Sequence, residues 1–135
     1  MDKLIVKFIE EASEHIQIIE QNMLLLEKDP ENTGYIEIIF RSMHTLKGAG
    51  SMFGFENISE ITHDLENVYD EIRAQKRTLS RELFDITLSA VDHIKELIKF
   101  GNKIPEEIAN NQVFLVQRIR AMISENVHEK NKLFI

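Results

Sequence analysis

A chain of 135 residues is about one domain, long enough to bury a core. It is 43% hydrophobic and 29% charged with two prolines and five glycines, a helix-rich balance, and the absence of cysteine excludes disulfides and thiolate chemistry. A formal net charge of −7 without a basic cluster speaks against nucleic acid. No apolar run approaches the ~18 residues of a membrane span and no signal-peptide layout is present, so a cytoplasmic protein without membrane insertion is expected.

Five amphipathic segments follow one another. In the first, Leu4, Phe8, Ala12, Ile16, Ile19, Met23 and Leu26 form one stripe. Asp2 is its N-cap, and Asp29-Pro30 ends it, since the residue before proline resists helical geometry. The second carries Ile36, Ile39, Phe40, Met43, Leu46, Gly50 and Phe53 and stops at Gly54. The third carries Ile58, Ile61, Leu65, Val68 and Ile72, with Glu56 and Glu60 near its positive end. After a break at 75–78, Ser80 caps a fourth with Leu83, Thr87, Ala90, Val91, Ile94, Leu97 and Ile98, closed by Gly101-Asn102. The fifth starts at Pro105 as its first helical residue and presents Ile108, Leu115, Ile119, Met122 and Ile123. Short connections make sequential helices antiparallel neighbours. The expected fold is therefore all-α, an up-down antiparallel four-helix bundle with an additional C-terminal fifth helix. It would occupy 1–128, leaving 129–135 as a tail or the start of a linker to further domains.

The run His44-Thr45-Leu46-Lys47-Gly48-Ala49-Gly50-Ser51-Met52-Phe53-Gly54-Phe55 departs from an ordinary bundle. An interior glycine costs a helix roughly 1 kcal/mol relative to alanine, and two follow a histidine here. On a helical wheel His44 lies just outside the apolar stripe, exposed to solvent. Gly48 leaves the next turn bare beside the imidazole, Ser51 is small, and Lys47 lies within reach of anything attached to the ring. Gly50, on the apolar side, suits close helix packing. On the third helix Glu66 sits at the margin of its stripe, with His63 one turn before it. If the two helices form a hairpin about Phe55, residues equally distant from Phe55 lie level. His44 then faces Glu66, and Lys47 faces His63. A carboxylate beside one ring nitrogen fixes the tautomer and leaves the lone pair of the other free, the arrangement of a nucleophilic histidine. Phe53 and Phe55 are expected to be core residues that fix the turn. His15 is expected at the core boundary, and His93 and His128 stand without a supporting constellation.

These residues carry a resemblance. His-x-x-Lys-Gly followed by Gly-x-x-x-Gly-Phe resembles the histidine phosphotransfer (HPt) domain, in particular the N-terminal domain of the CheA family of chemotaxis sensor kinases. The likeness extends to Ile61-Thr62-His63-Asp64-Leu65-Glu66-Asn67, to Phe8-x-x-Glu11-Ala12-x-Glu14-His15 and to Leu25-Leu26-Glu27, spanning residues 1 to about 125. It implies that His44 is the phospho-acceptor. Lys47 would stabilise the phosphoryl charge, Glu66 would orient the ring, His63 would join the hydrogen-bond network, and Gly48 and Ser51 would admit the docking partner. The implied partners are a kinase ATP-binding catalytic domain, which supplies ATP and magnesium, and response regulator receiver domains. No Gly-rich phosphate loop or acidic metal pair occurs in this chain, so it needs no cofactor of its own and is a phospho-acceptor rather than a complete catalyst. The isolated domain is expected to be monomeric.

Three rival readings exist. One is a stand-alone HPt relay outside chemotaxis. Another is a structural or adaptor bundle with an incidental His44. The last is a di-metal carboxylate site, because Glu60-x-x-His63 and Glu125-x-x-His128 have its spacing. The wheel positions of His63 and His128 point both away from the bundle interior, which disfavours it.

Overall fold

The computed structural model describes residues 2–101 and 103–124, and no strand occurs among them. Among the described residues there are five helices: α1 Lys3–Lys28, α2 Thr33–Met52, α3 Glu56–Arg73, α4 Arg81–Phe100 and α5 Glu106–Ser124. Side-chain caps start three of them. Asp2 accepts from the Leu4 N–H at 2.8 Å, Asn32 from Tyr35 at 3.2 Å and Ser80 from Leu83 at 3.0 Å, each satisfying a donor that the first turn leaves orphaned. Gly54, at φ 82°, ends the α2 segment in a conformation that a side chain would strain. The fifth helix begins at Glu106, one residue later than the periodicity suggests. Pro105 stands just outside it and offers its carbonyl to Ile108 and Ala109 at 3.0 Å each.

The apolar stripes converge on one core that includes Phe8, Ile19, Met23, Leu26, Ile39 and Tyr69. The Phe8 ring lies 5.3 Å from that of Phe53 and 4.8 Å from that of Phe55, so the start of α1 locks the α2–α3 turn, with both turn phenylalanines half-buried against the core rather than within it. The helices α2 and α3 then run back along each other in a register visible at three levels. Ser51 bonds Ser59 at 2.9 Å, His44 bonds Glu66, and Glu37 accepts from Arg73 at 3.0 Å. Each pair is equally distant from Phe55. Gly50 allows this approach: a Cβ there would stand 3.2 Å from the Phe55 carbonyl oxygen and 3.3 Å from the Ser59 nitrogen.

Helix α1 packs on α2 and α4, while α5 packs on both α3 and α4, whose direct contact is the slightest in the bundle. Gln112 donates to the Asn57 carbonyl at 3.1 Å and Arg120 to Asp64 at 3.0 Å, so α5 runs alongside α3 in the same direction. Arg77, from the α3–α4 connection, donates to the Met122 and Ile123 carbonyls at 3.1 Å each and so satisfies acceptors at the end of α5. Among the described residues every buried side-chain nitrogen and oxygen has a partner, and no helix is long and apolar enough to cross a membrane. The tail expected at 129–135, together with Glu125 and His128, lies outside the described residues.

Candidate functional site

Midway along α2, the apolar face that carries Met43 and Leu46 into the core leaves the intervening His44 on the rim. Its side chain is 65% exposed, yet Nδ1 is hydrogen-bonded to Oε2 of Glu66, which is only 8% exposed. The second oxygen of the same carboxylate accepts from Lys47 Nζ at 2.6 Å. Burial pushes the Glu66 pKa up, but the hydrogen bonds and charges of Lys47 and His44 outweigh it and leave the carboxyl below its ordinary value. Glu66 is therefore a carboxylate at neutral pH and can only accept. His44 Nδ1 must then carry the proton, and in the neutral ring the lone pair sits on Nε2. No hydrogen bond reaches Nε2 among the described residues.

The flank of the ring is open. A Cβ on Gly48 would find nothing within 4 Å, so the turn beyond His44 offers a bare backbone. The hydroxyl of the exposed Ser51 is taken by Ser59. On the other side, one turn back, the Phe40 ring lies with its centroid 6.4 Å from that of His44 and the planes 21° apart.

Two expectations from the sequence need correction. Lys47 is level with His63, but its ammonium lies on the Glu66 carboxylate instead, because a carboxylate is the stronger acceptor for a cation and the long stem can reach it. His63 is accordingly outside the His44–Glu66–Lys47 cluster. It is exposed, and its hydrogen bond, at 3.5 Å, is with Asn67 on its own helix. The Glu60-x-x-His63 half of the di-metal reading fails to converge as well. Glu60 accepts from Gln112 at 2.8 Å and pairs with Arg120 at 3.7 Å, away from His63.

The sequence profile of the Hpt domain matches residues 3–124. The chain belongs to the Hpt domain family. Among curated proteins, this Hpt domain is 43% identical over 91 residues to the chemotaxis protein CheA of Listeria monocytogenes, a match over 67% of the chain and 15% of that protein's length. Among solved structures, the histidine phosphotransfer domain of CheA in solution superposes with a TM-score of 0.80 at 28% identity, covering 96% of this chain and 98% of that one. The phosphorylated P1 domain of CheA3 in complex with CheY6, from R. sphaeroides, superposes with a TM-score of 0.78 at 19% identity, covering 92% and 98%, which shows the shared fold.

Other polar groups in this Hpt domain escaped the sequence reading. His93 is buried, with Nε2 2.6 Å from Gln112 Oε1 and Nδ1 3.2 Å from Asn111 Nδ2. Burial lowers its pKa, with the Gln112 hydrogen bond opposing. Gln112 passes the network on to Glu60 and the Asn57 carbonyl, tying α4, α5 and α3 together. The available signal was spacing: His93 lies one turn from both Ala90 and Leu97 on the α4 stripe. His15 is half-buried, as expected, with Nδ1 3.4 Å from the Ser42 hydroxyl.

Proposed function

We propose that this domain is the phospho-accepting domain of a chemotaxis sensor kinase, working in the cytoplasm. In this reading His44 accepts the γ-phosphoryl group of ATP, held with magnesium in a separate kinase catalytic domain. It then hands the group to an aspartate on a response regulator receiver domain. One observation carries the reading: an exposed imidazole whose Nδ1 is locked to a buried carboxylate while Nε2 has no hydrogen-bond partner among the described residues.

The chemistry follows from that arrangement. Nε2 attacks the phosphorus, the N–P bond forms, and the bond from phosphorus to the departing ADP oxygen breaks. Positive charge grows on the ring as this happens, and Glu66 accepts the Nδ1–H that shares it. Lys47 brings a cation to the same cluster, one turn from the acceptor nitrogen, where it offsets the charge of the incoming phosphoryl group. The bare flank over Gly48 admits the donor, and afterwards the receiver, without a side chain in the way. In the second transfer the N–P bond breaks and a receiver carboxylate takes the phosphoryl group. His63, whose hydrogen bond is with Asn67, is given no role in either step.

The split between donor and acceptor is supported by the match covering 15% of the length of the Listeria monocytogenes CheA, which leaves most of that length for a separate catalytic region. The receiver partner is supported by the complex of the structurally similar CheA3 domain with CheY6. The test is incubation with a CheA-type kinase catalytic domain, magnesium and γ-labelled ATP. An acid-labile, base-stable label is expected on the wild type, absent from His44→Gln, and lost from the wild type when a receiver domain is added. A label that persists in His44→Gln would place the acceptor elsewhere.

A further inference from the structure

The hydrogen bond to Glu66 holds His44 at one atom only. A ring fixed at Nδ1 can still swing about that bond, and Gly48, one turn on, carries no side chain to limit it. The neighbour on the other side is Phe40, whose ring lies within stacking range at 6.4 Å and nearly parallel to the imidazole. Phe40 is itself held. The Arg73 guanidinium sits 3.8 Å over its ring, and Arg73 is tied by Nη1 to both oxygens of Glu37, at 3.1 and 3.0 Å, and by Nε to Asp70 at 2.8 Å. Glu37 takes a further bond from Arg41 at 2.8 Å. This clamp joins the first half of α2 to the end of α3 and closes on an aromatic ring one turn before the acceptor.

We infer that Phe40, clamped by Arg73, is a positioning residue that sets the tilt at which His44 presents Nε2 to the phosphoryl group. The inference rests on the phosphotransfer reading above and deepens it. Glu66 sets which nitrogen is free, and Phe40 sets where that nitrogen points. Attack requires alignment of the lone pair with phosphorus, so a loosened ring lowers the rate at saturation while leaving the affinity for the kinase domain unchanged.

Two measurements on wild type, Phe40→Leu, Phe40→Tyr and Arg73→Gln test this. The first is side-chain NMR relaxation of the His44 ring, which needs no kinase. The second is phosphorylation by the kinase catalytic domain over a range of kinase concentrations, with thermal melts as the control for folding. Phe40→Leu is expected to increase the amplitude of ring motion and lower the saturating rate roughly three- to tenfold, the size of one aromatic pairing, with KM unchanged. Phe40→Tyr, which keeps the ring, is expected to restore both, and Arg73→Gln to give a smaller loss in the same direction. Unchanged ring motion in Phe40→Leu, or a loss confined to KM, would overturn the positioning role. Absence of label on wild-type His44 would instead overturn the phosphotransfer reading, while the NMR measurement still decides whether Phe40 holds the ring.

Discussion

Glu66 serves two donors with its two oxygens from a nearly buried position, and this makes it the residue on which the site's electrostatics turn. Glu66→Ala leaves His44 free to populate either tautomer and leaves Lys47 without its anion. Phosphorylation of His44 is expected to slow on the order of tenfold to a hundredfold, as when other partners that orient a working imidazole are removed. Urea unfolding of the same variant is expected to show a loss of only about 1 kcal/mol or less, since both partners are partly solvated. The pairing of His44 with Glu66 was legible in the sequence because two helical wheels and a hairpin centred on Phe55 determine it without side-chain detail. The destination of Lys47 was not. Its stem spans more than one rung of the neighbouring helix, so competition among acceptors, rather than register, decides where the ammonium goes.

Among the elements, the last turns of α2 carry two glycines, Gly48 and Gly50, whose different wheel positions the structure turns into different surroundings. Gly50 lies against the backbone of Phe55 and Ser59, whereas Gly48 faces open space. Gly50→Ala should therefore destabilise the fold by about 1–3 kcal/mol through overpacking. Gly48→Ala should stabilise it by about 0.5–1 kcal/mol, because the only change is better helix propensity. Denaturant titration of the two variants checks the opposite signs. Gly48→Leu is expected to fold as well as Gly48→Ala but to raise KM for the kinase catalytic domain, by filling the bare flank beside the imidazole. Helix boundaries followed closely from local chemistry at Asp2, Gly54 and Ser80. The Asn32 cap went unread because no apolar stripe begins immediately after it, and the contact of α3 with α5 went unread because chain order says nothing of which non-sequential helices meet.

At the scale of the whole molecule, the four-helix pattern with a fifth helix was legible from periodicity and connection lengths, but the polar tie between α3, α4 and α5 was not. A histidine on an apolar stripe reveals its partner only when the opposing helix is in place, and here that partner is Gln112. The tie makes stability depend on pH. His93 has a folded pKa below its ordinary value of 6.5, so the unfolded chain binds its proton first as the solution is acidified. The contribution of His93 is present above pH 6.5 and is lost as pH falls from there to the lower folded value. Each unit of depression is worth about 1.4 kcal/mol. Around the ring stand Gln112 and Asn111 from α5 and Glu96 from α4, with Glu60 of α3 beyond Gln112. Glu66, whose folded pKa is lowered, loses its contribution only below its ordinary 4.5, which separates the two windows. Unfolding free energy measured at pH 7.5 and pH 5.5 is expected to fall with acidification in the wild type and to stay nearly level in His93→Gln.

The turn between α2 and α3 occupies only Phe53, Gly54 and Phe55, and both arms are rigid rods. Its length thus works as a ruler for the hydrogen-bonded pair eleven residues away on either strut, His44 and Glu66. A single inserted amino acid would displace one rod by about 1.5 Å and rotate its side chains by about 100°. The acidic prop would swing off the imidazole even though every member of the constellation kept its identity. The spacing of this bend is as much a part of the proposed phospho-acceptor site as the atoms that meet there.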